Sequence, residues 1–160
     1  LDEVLRTVAL EISPLIAQRD LDFGIHTEAA PVRAHEWMLR ELTRNLLHNA
    51  VRHAPQGSEL AVDLRCDAHH TALTISDCGP GIDPELAARL FQPFSAGDVR
   101  SGSGLGLAIC QEIVQALGGS ITLTNRERGT RILGLDAVVR LPLAQHFASA
   151  AHGNPAQLSE

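Results

Sequence analysis

The chain is 160 residues long, 44% of its residues are hydrophobic, and its formal net charge is −6 with histidine neutral. That acidic balance argues against a general nucleic-acid surface, and no apolar run approaches the ~20 residues that cross a bilayer as a helix. All thirteen basic residues are arginine, which excludes a P-loop and a eukaryotic-type protein-kinase fold because each depends on a lysine at its phosphate site.

The first half of the chain predicts two helices and a strand hairpin. Apolar positions recur at helical spacing over residues 2–18, where Pro14 is expected to kink or split the helix. Residues 21–25 alternate as a short strand, and residues 32–34 are predicted to form a very short second strand. A long amphipathic helix follows over 35–54, and alternation over 59–66 and 71–76 predicts the hairpin.

The second half predicts two helices and two further strands. A short helix over 85–90 follows Pro84, and a mobile loop is expected over 93–103 because that stretch is rich in Gly, Ser, Ala and Asp. Residues 105–117 form a helix that ends at a glycine pair, and strands follow over 121–124 and 132–141. We expect one domain over residues 1–143 and a disordered tail over 144–160.

Two asparagines on the long helix are the first candidate site residues. Asn45 and Asn49 lie four residues apart, so both project from one face, and Arg52 and His53 continue the same stripe. An amide oxygen is a hard ligand suited to Mg²⁺, and Arg52 can meet phosphate charge. A solvated polar face is the alternative, but asparagine is a poor residue for a helix interior.

A carboxylate and a glycine-rich turn follow the hairpin. Asp77 ends a predicted strand and can accept a hydrogen bond from the exocyclic amine of adenine, while Gly79 and Gly81 let the backbone approach the ring. Taken alone, this pattern is a common turn. It is not a Rossmann fingerprint, because Pro84 stands where the third glycine would be.

A second glycine-rich segment, Gly102-Ser103-Gly104-Leu105-Gly106-Leu107, opens the helix over 105–117. Backbone amides at a helix N-terminus favour phosphate, and the glycines suit a lid. Two further candidates are Phe91-Gln92-Pro93-Phe94, which would either pack the short helix or position the lid, and Thr130, whose hydroxyl would lie near the adenine or simply start a strand. Together the segments indicate an ATP site.

In their order, these segments resemble the catalytic ATP-binding (HATPase) domain of bacterial two-component sensor histidine kinases, a branch of the Bergerat-fold or GHKL superfamily. Residues 45–53 resemble its N box, 77–82 its first glycine box, 91–94 its F box and 102–107 its second glycine box. Asn125 and the Gly129-Thr130 pair follow as in that family. The resemblance implies an α+β fold, a two-layer α/β sandwich whose mixed, mostly antiparallel sheet carries three main helices on one face.

The resemblance also implies roles for single residues. Asn49 would coordinate Mg²⁺, Asn45 and Arg52 would face the phosphates as the catalytic pair, and Asp77 would bind adenine. The implied ATP-binding set is Asn45, Asn49, Arg52, His53, Asp77, Gly79, Gly81, Ile82, Gly102, Ser103, Gly104, Leu105, Gly106, Leu107 and Thr130. The chain departs from the family in having Cys78 after the aspartate and a long closing segment over 131–142.

Three functions follow from this resemblance. The first is a histidine kinase module that positions Mg-ATP for transfer to a histidine on a separate helical hairpin, absent from this chain, and onward to a response regulator. The second is a GHKL-type ATPase or anti-sigma serine kinase, which would need a glutamate as general base where this chain has Asn45. The third is a degenerate domain that binds without catalysis, against which the intact Asn49 and Asp77 argue.

The resemblance implies partners and a location as well. The partners would be the dimerisation and phosphoacceptor hairpin of the same protein, N-terminal to this chain, and the receiver domain of a response regulator, with no nucleic acid. The parent is expected to be a membrane-bound homodimer in the inner membrane with this domain in the cytoplasm. Three cysteines without metal-ligand spacing agree with a reducing compartment.

Overall fold

The computed structural model describes residues 1–87, 89–93 and 105–144. Its elements in chain order are α1 (Asp2–Gln18), β1 (Asp22–Thr27), α2 (Glu36–His53), β2 (Glu59–Cys66), β3 (His70–Asp77), α3 (Pro84–Ala87), α4 (Gly106–Ala116), β4 (Ser120–Arg128) and β5 (Arg131–Pro142). The loop predicted over 93–103 lies outside the described residues except for its first position. The tail predicted over 144–160 does so as well, again except for its first position.

Five strands form one mixed sheet in the order β1-β2-β3-β5-β4. β1 is parallel to β2 because α2 connects the two strands and returns the chain to the starting edge. The remaining neighbours pair antiparallel, two of them through the hairpins β2–β3 and β4–β5. The prediction of a mixed, mostly antiparallel sheet is therefore confirmed.

One face of the sheet carries the hydrophobic core. β2 and β3 alternate buried and half-buried residues, and α1 and α4 both pack against α2, which lies over β3. The largest fully buried side chains come from both layers: Leu5, Val8, Leu42, Leu46, Leu47, Val51, Leu60, Val62, Leu64, Leu73, Ile75 and Leu141. The fold is the predicted two-layer sandwich with three main helices on one face. Within the described ranges, no helix combines the length and apolar character needed to cross a membrane.

Two local predictions in the first half are wrong. Pro14 lies inside a single helix, α1, so the predicted split does not occur, and the alternative of a kink stays a prediction. Proline removes one amide from the helix, and the Ser13 hydroxyl instead donates to the Leu10 carbonyl, at 2.8 Å, which would have accepted that amide. Residues 32–34 form no strand, because Val32 and Ala34 pack against the core as a connection without backbone pairing.

The second half differs from prediction in length and regularity. α3 is a single turn whose Asp83 carboxylate accepts the Glu85 amide at 2.9 Å, as expected of a helix cap. β5 contains a bulge: Arg126 of β4 pairs with Gly134, whereas Glu127 pairs with Ile132. One residue of β5 therefore has no partner, and such an insertion bends a strand locally.

Candidate nucleotide-binding site

Helix α2 is the element against which the candidate segments lie. Near its middle, the Asn45 Oδ1 atom lies 3.2 Å from the position that a Cβ at Gly106 would occupy, so α4 begins against this side chain. At its end, the His53 carbonyl lies 2.8 Å from the corresponding position at Gly79. Eight residues of helix separate the two contacts, about 12 Å. The site therefore has two chemically different ends on one rigid support.

Asp77 forms one end of the site. It is the last residue of β3 and only 3% exposed, and its Oδ1 atom accepts the Gly79 amide at 2.7 Å. Burial raises the pKa of the Asp77 carboxyl, although the Gly79 amide and then the charges of His53 and Arg126 act in the opposite direction. A buried acceptor is thus held where it can select a donor on a ligand.

The turn after Asp77 depends on its glycines for contacts within the protein. A Cβ at Gly79 would lie 2.8 Å from both the Asp77 carboxylate and the His53 carbonyl. Gly81 has a φ of +74°, which favours glycine, and a Cβ there would lie 2.5 Å from the Asn125 side-chain oxygen. Ile82 follows, and both its backbone groups are bonded to Asn125. The close contacts of these glycines are with protein atoms, and the approach of an adenine ring to their backbone stays a prediction.

The polar stripe of α2 connects the two ends. The Asn45 amide nitrogen donates to the Glu41 carbonyl at 2.9 Å, which leaves its oxygen directed at α4. Asn49 is half-buried, and its side chain makes no hydrogen bond within the described part of the chain. Arg52 and His53 are exposed, with 3.4 Å between Nη2 and Nε2. Because its ring is only partly exposed, desolvation lowers the pKa of His53, as does the Arg52 charge, against the attraction of Asp77.

The first turn of α4 forms the other end of the site. Its N-cap residue, Leu105, provides no side-chain cap, and the turn carries no acidic residue. The amides of a first turn lack partners within their own helix, so this end offers donors and a positive dipole to an anion. Leu107 packs against the core and fixes the helix in place. Gly102, Ser103 and Gly104 lie outside the described residues.

Two further candidates do not join this arrangement in the described structure. Thr130 lies in the turn between β4 and β5, whereas the residue of β5 opposite Asp77 is Leu135. Five residues of strand separate those two positions, roughly 16 Å at about 3.3 Å per residue. Phe91 is half-buried in a turn after α3, and Phe94 lies outside the described residues.

The sequence analysis did not predict the charged group that lies behind Asp77, the guanidinium of Arg126. Arg126 of β4 donates from Nη2 to the Asp77 backbone carbonyl at 2.8 Å and forms an ion pair through Nη1 with Asp136 of β5. A Cβ at Gly134 would lie 1.9 Å from that carbonyl oxygen. The one acidic residue in the largely apolar segment of β5 was the available signal, because a half-buried carboxylate needs a partner.

Hydrolysis of ATP would need a general base, and Glu41 is the glutamate nearest to Asn49 on this face of α2. Its carboxylate lies 3.2 Å from Arg44 in an ion pair on the same helix. Asn45, one turn closer to Asn49, is an amide and cannot take up a proton. Within α2, no free carboxylate therefore lies beside Asn49 to act as a general base.

Comparison with known proteins gives a consistent family. The sequence pattern of the family described as "Histidine kinase-, DNA gyrase B-, and HSP90-like ATPase" matches residues 34–145. The sensor protein QseC of Escherichia coli K12 is 35% identical over 133 residues, which cover 81% of this chain and 29% of that protein. BasS of the same organism is 35% identical over 152 residues, covering 93% and 41%. The chain thus spans well under half of these relatives.

Solved structures give the same result for the fold. The mycobacterial sensor histidine kinase MprB has a TM-score of 0.78 at 28% identity, covering 89% of this chain and 93% of that one. The catalytic domain of histidine kinase ThkA has a TM-score of 0.80 at 26% identity, covering 89% and 92%. Full-length ShkA in complex with AMPPNP has a TM-score of 0.76 at 26% identity, covering 89% and 30%.

The chain belongs to the family of histidine kinase-, DNA gyrase B- and HSP90-like ATPases. Within it, the chain is an ATP-binding catalytic domain of the sensor histidine kinase type, since the similar proteins and the folds both lie in that branch.

Proposed function

We propose that this domain binds Mg-ATP along α2 and presents its γ-phosphate to a histidine on a separate helical hairpin of the parent protein. The observation that carries the proposal is the pairing of two opposite ends on one helix. A buried carboxylate, Asp77, lies at the α2 C-terminus, and the uncapped N-terminus of α4 contacts Asn45. Such a site suits a ligand that is a hydrogen-bond donor at one end and an anion at the other.

The two ends assign the parts of the nucleotide. Adenine would donate its exocyclic amine to Asp77, and the phosphates would meet the amides of Gly106 and Leu107, which open α4. Asn45 would contact the phosphates through its amide NH₂, which would exchange the Glu41 carbonyl for a phosphate oxygen, and Arg52 would offset their charge. The chain's part in the transfer is to orient the terminal phosphate and to stabilise its charge.

Magnesium would be held by Asn49. Its amide oxygen is a hard ligand, and the side chain has no protein partner among the described residues. The same part of the chain contains no cluster of three or more metal-ligating His, Cys, Asp or Glu side chains. That donor set fits Mg²⁺, which keeps several waters and uses few protein ligands beside phosphate oxygens. When bound, the ion supplies charge neutralisation at the phosphates.

A hydrolytic ATPase or a serine kinase is disfavoured by the same helix. Both activities need a general base for water or a hydroxyl, expected to be a glutamate where α2 has Asn45, and the nearest glutamate, Glu41, is paired with Arg44. A histidine acceptor has its own nucleophilic nitrogen and needs no base from this domain when its imidazole is neutral. The proposed transfer therefore agrees with the lack of a free carboxylate beside Asn49.

Partners and location follow from the same assignment. The phosphoacceptor hairpin would also make the parent a dimer, and an aspartate on a response regulator would receive the phosphoryl group. The similar proteins QseC and BasS are named as sensor proteins, which supports a two-component role. We place this domain in the cytoplasm, where ATP is available, with the parent anchored in the inner membrane.

Calorimetric titration with ATP and ADP, with and without Mg²⁺, tests the site. Asn49→Ala should abolish most of the increase in ATP affinity that Mg²⁺ produces and leave the metal-free affinity within about twofold, since one metal ligand is lost. His48→Ala is the matched control, because His48 is the exposed neighbour on the same helix. Failure of the folded wild type to bind ATP would refute the proposal.

A transfer assay separates the kinase from the alternatives. The domain is mixed with radiolabelled ATP, Mg²⁺ and the separately produced hairpin of its parent. We expect acid-labile, base-stable label on the hairpin and little release of inorganic phosphate. Rapid phosphate release without the hairpin would instead indicate an ATPase.

A further inference from the structure

Two neighbouring residues of β4 tie the ends of the Asp77–Ile82 turn to the sheet. Asn125 accepts the Ile82 amide at 2.8 Å and donates to the Ile82 carbonyl at 2.7 Å. Arg126 donates to the Asp77 carbonyl at 2.8 Å. The turn begins at Asp77, whose carboxylate is proposed to bind adenine. Side chains of the edge strand β4, which is distant in sequence, therefore hold the first and the last residue of this turn.

Two glycines leave the space that these bonds require. A Cβ at Gly81 would lie 2.5 Å from the Asn125 oxygen, and a Cβ at Gly134 would lie 2.6 Å from Arg126 Nη2. Real Cβ atoms do not approach other atoms so closely, so any other residue at either position would displace a bond. The two glycines, in the turn and on β5, therefore leave room for the hydrogen bonds that Asn125 and Arg126 make from β4.

The arginine is itself held in place. Asp136 of β5 pairs with Arg126 Nη1, and the Leu135 carbonyl lies 3.5 Å from the same atom. A guanidinium with its planar fork engaged on both sides is restricted in orientation. The Asp77 backbone is accordingly linked to β4 and β5, and its carboxylate can move little relative to α2.

We propose that Asn125 and Arg126 are positioning residues that set the selectivity of the site for adenine by fixing the turn that begins at Asp77. The inference rests on the proposed function, in which Asp77 accepts the adenine amine. Guanine has a carbonyl where adenine has that amine, so a fixed carboxylate repels GTP. A loosened turn lets the carboxylate move away, which weakens ATP binding and relaxes the rejection of GTP.

The test compares the dissociation constants of ATP, GTP and inorganic tripolyphosphate for folded variants. Asn125→Ala should weaken ATP about tenfold through the loss of two backbone bonds, with tripolyphosphate within about twofold. The preference for ATP over GTP should fall by a similar factor. Arg126→Lys, which retains the charge but loses the fork, should show a smaller change in the same direction.

Two further variants control for the loss of side-chain volume in Asn125→Ala and for substitution in β4 as such. Asn125→Asp is nearly isosteric and keeps the acceptor for the Ile82 amide, but places a carboxylate oxygen against the Ile82 carbonyl, so it should also lose selectivity. Arg128→Gln changes an exposed residue of the same strand and should match the wild type. Circular dichroism establishes that each variant is folded.

The outcomes distinguish a failure of this inference from a failure of the proposed ATP-binding function. Selectivity lost in Asn125→Ala and Asn125→Asp, with tripolyphosphate binding retained, supports the inference. Wild-type ATP selectivity that survives both substitutions overturns it while leaving the proposed function intact. A proportional loss of all three ligands also overturns it, because that pattern indicates general damage. A wild type that binds no ATP refutes the proposed function and the inference together.

Discussion

Replacing Asp77 by asparagine should separate nucleotide affinity from stability. The Gly79 amide bonds to Oδ1, but a carboxylate has about four acceptor positions, so it can still accept a charged hydrogen bond from adenine. Asparagine can keep the Gly79 bond but presents an NH₂ group to the ligand's own donor. Loss of one hydrogen bond to a charged group costs about 1.5–3 kcal/mol, so ATP should bind roughly 10–100-fold more weakly.

The same substitution should raise stability near pH 7. Burial raises the pKa of Asp77 above its ordinary 3.8, so the folded state binds a proton more readily than the unfolded chain. The wild type therefore gains stability as the pH falls through the folded pKa toward 3.8, and it bears the cost of a buried charge above that window. Asparagine has no charge to desolvate, so the advantage of Asp77→Asn should be largest at neutral pH and shrink toward pH 4.

Two measurements test the expected loss of ATP affinity and the expected gain in stability of Asp77→Asn. Calorimetry gives the ATP affinity, and urea denaturation at pH 7 and pH 4 gives the free energy of unfolding. Asp63→Asn is the comparison of opposite sign: Asp63, in the middle of β2, is more than a third exposed and pairs with Arg65 and His26, which hold its pKa below the ordinary value, so its loss should lower stability at pH 7 and leave ATP affinity unchanged. An affinity within twofold of the wild type would refute the role of Asp77. An affinity loss with an equal loss of stability would refute the reasoning about burial.

Two other predictions concern packing and thiol chemistry. Gly119→Ala should destabilise the fold by about 1–3 kcal/mol, because its Cβ would lie 2.2 Å from a backbone oxygen of β5. Gly24→Ala faces open space and should be near neutral. Thermal unfolding measures both variants, and equal melting temperatures would contradict the packing argument. In the folded protein Cys66 and Cys78 should react with a maleimide, and bound ATP should slow labelling at Cys78 beside Asp77. Cys110 should react only on unfolding, since burial raises its pKa to about 12, and mass spectrometry locates the label.

The sequence predicted the elements that local pattern determines. Helix α2 appears as expected because its apolar residues repeat at helical spacing over 18 residues. The hairpin β2–β3 appears because Asp67 accepts the His69 and His70 amides and fixes the turn. The resemblance supplied the sheet's mixed character, which local pattern alone does not specify.

Two features lay beyond the sequence for different reasons. Pro14 does not split α1, in which the adjacent Ser13 hydroxyl bonds to the Leu10 carbonyl in place of the lost amide. The pairing of β5 places Leu135 opposite Asp77 and leaves Thr130 in the turn before β5, and the role predicted for Thr130 stays a prediction. Register is a property of paired strands, so a motif read along one strand cannot fix which of its residues reaches a site on another.

The position of the site follows from where the sheet ends. Asp77 is the last residue of β3, and the neighbouring strand β5 and the edge strand β4 beyond it both extend past Asp77 toward the turn at Gly129. That overhang brings the Asn125 and Arg126 side chains to the turn from the sheet side, while α2 supports it from the helix side through the His53 carbonyl. A loop held on both sides gives up little conformational freedom when a ligand binds. The long strand β5 thereby helps to hold the Asp77 end of the site, where we propose that adenine binds, whereas the proposed phosphate end depends on the start of α4.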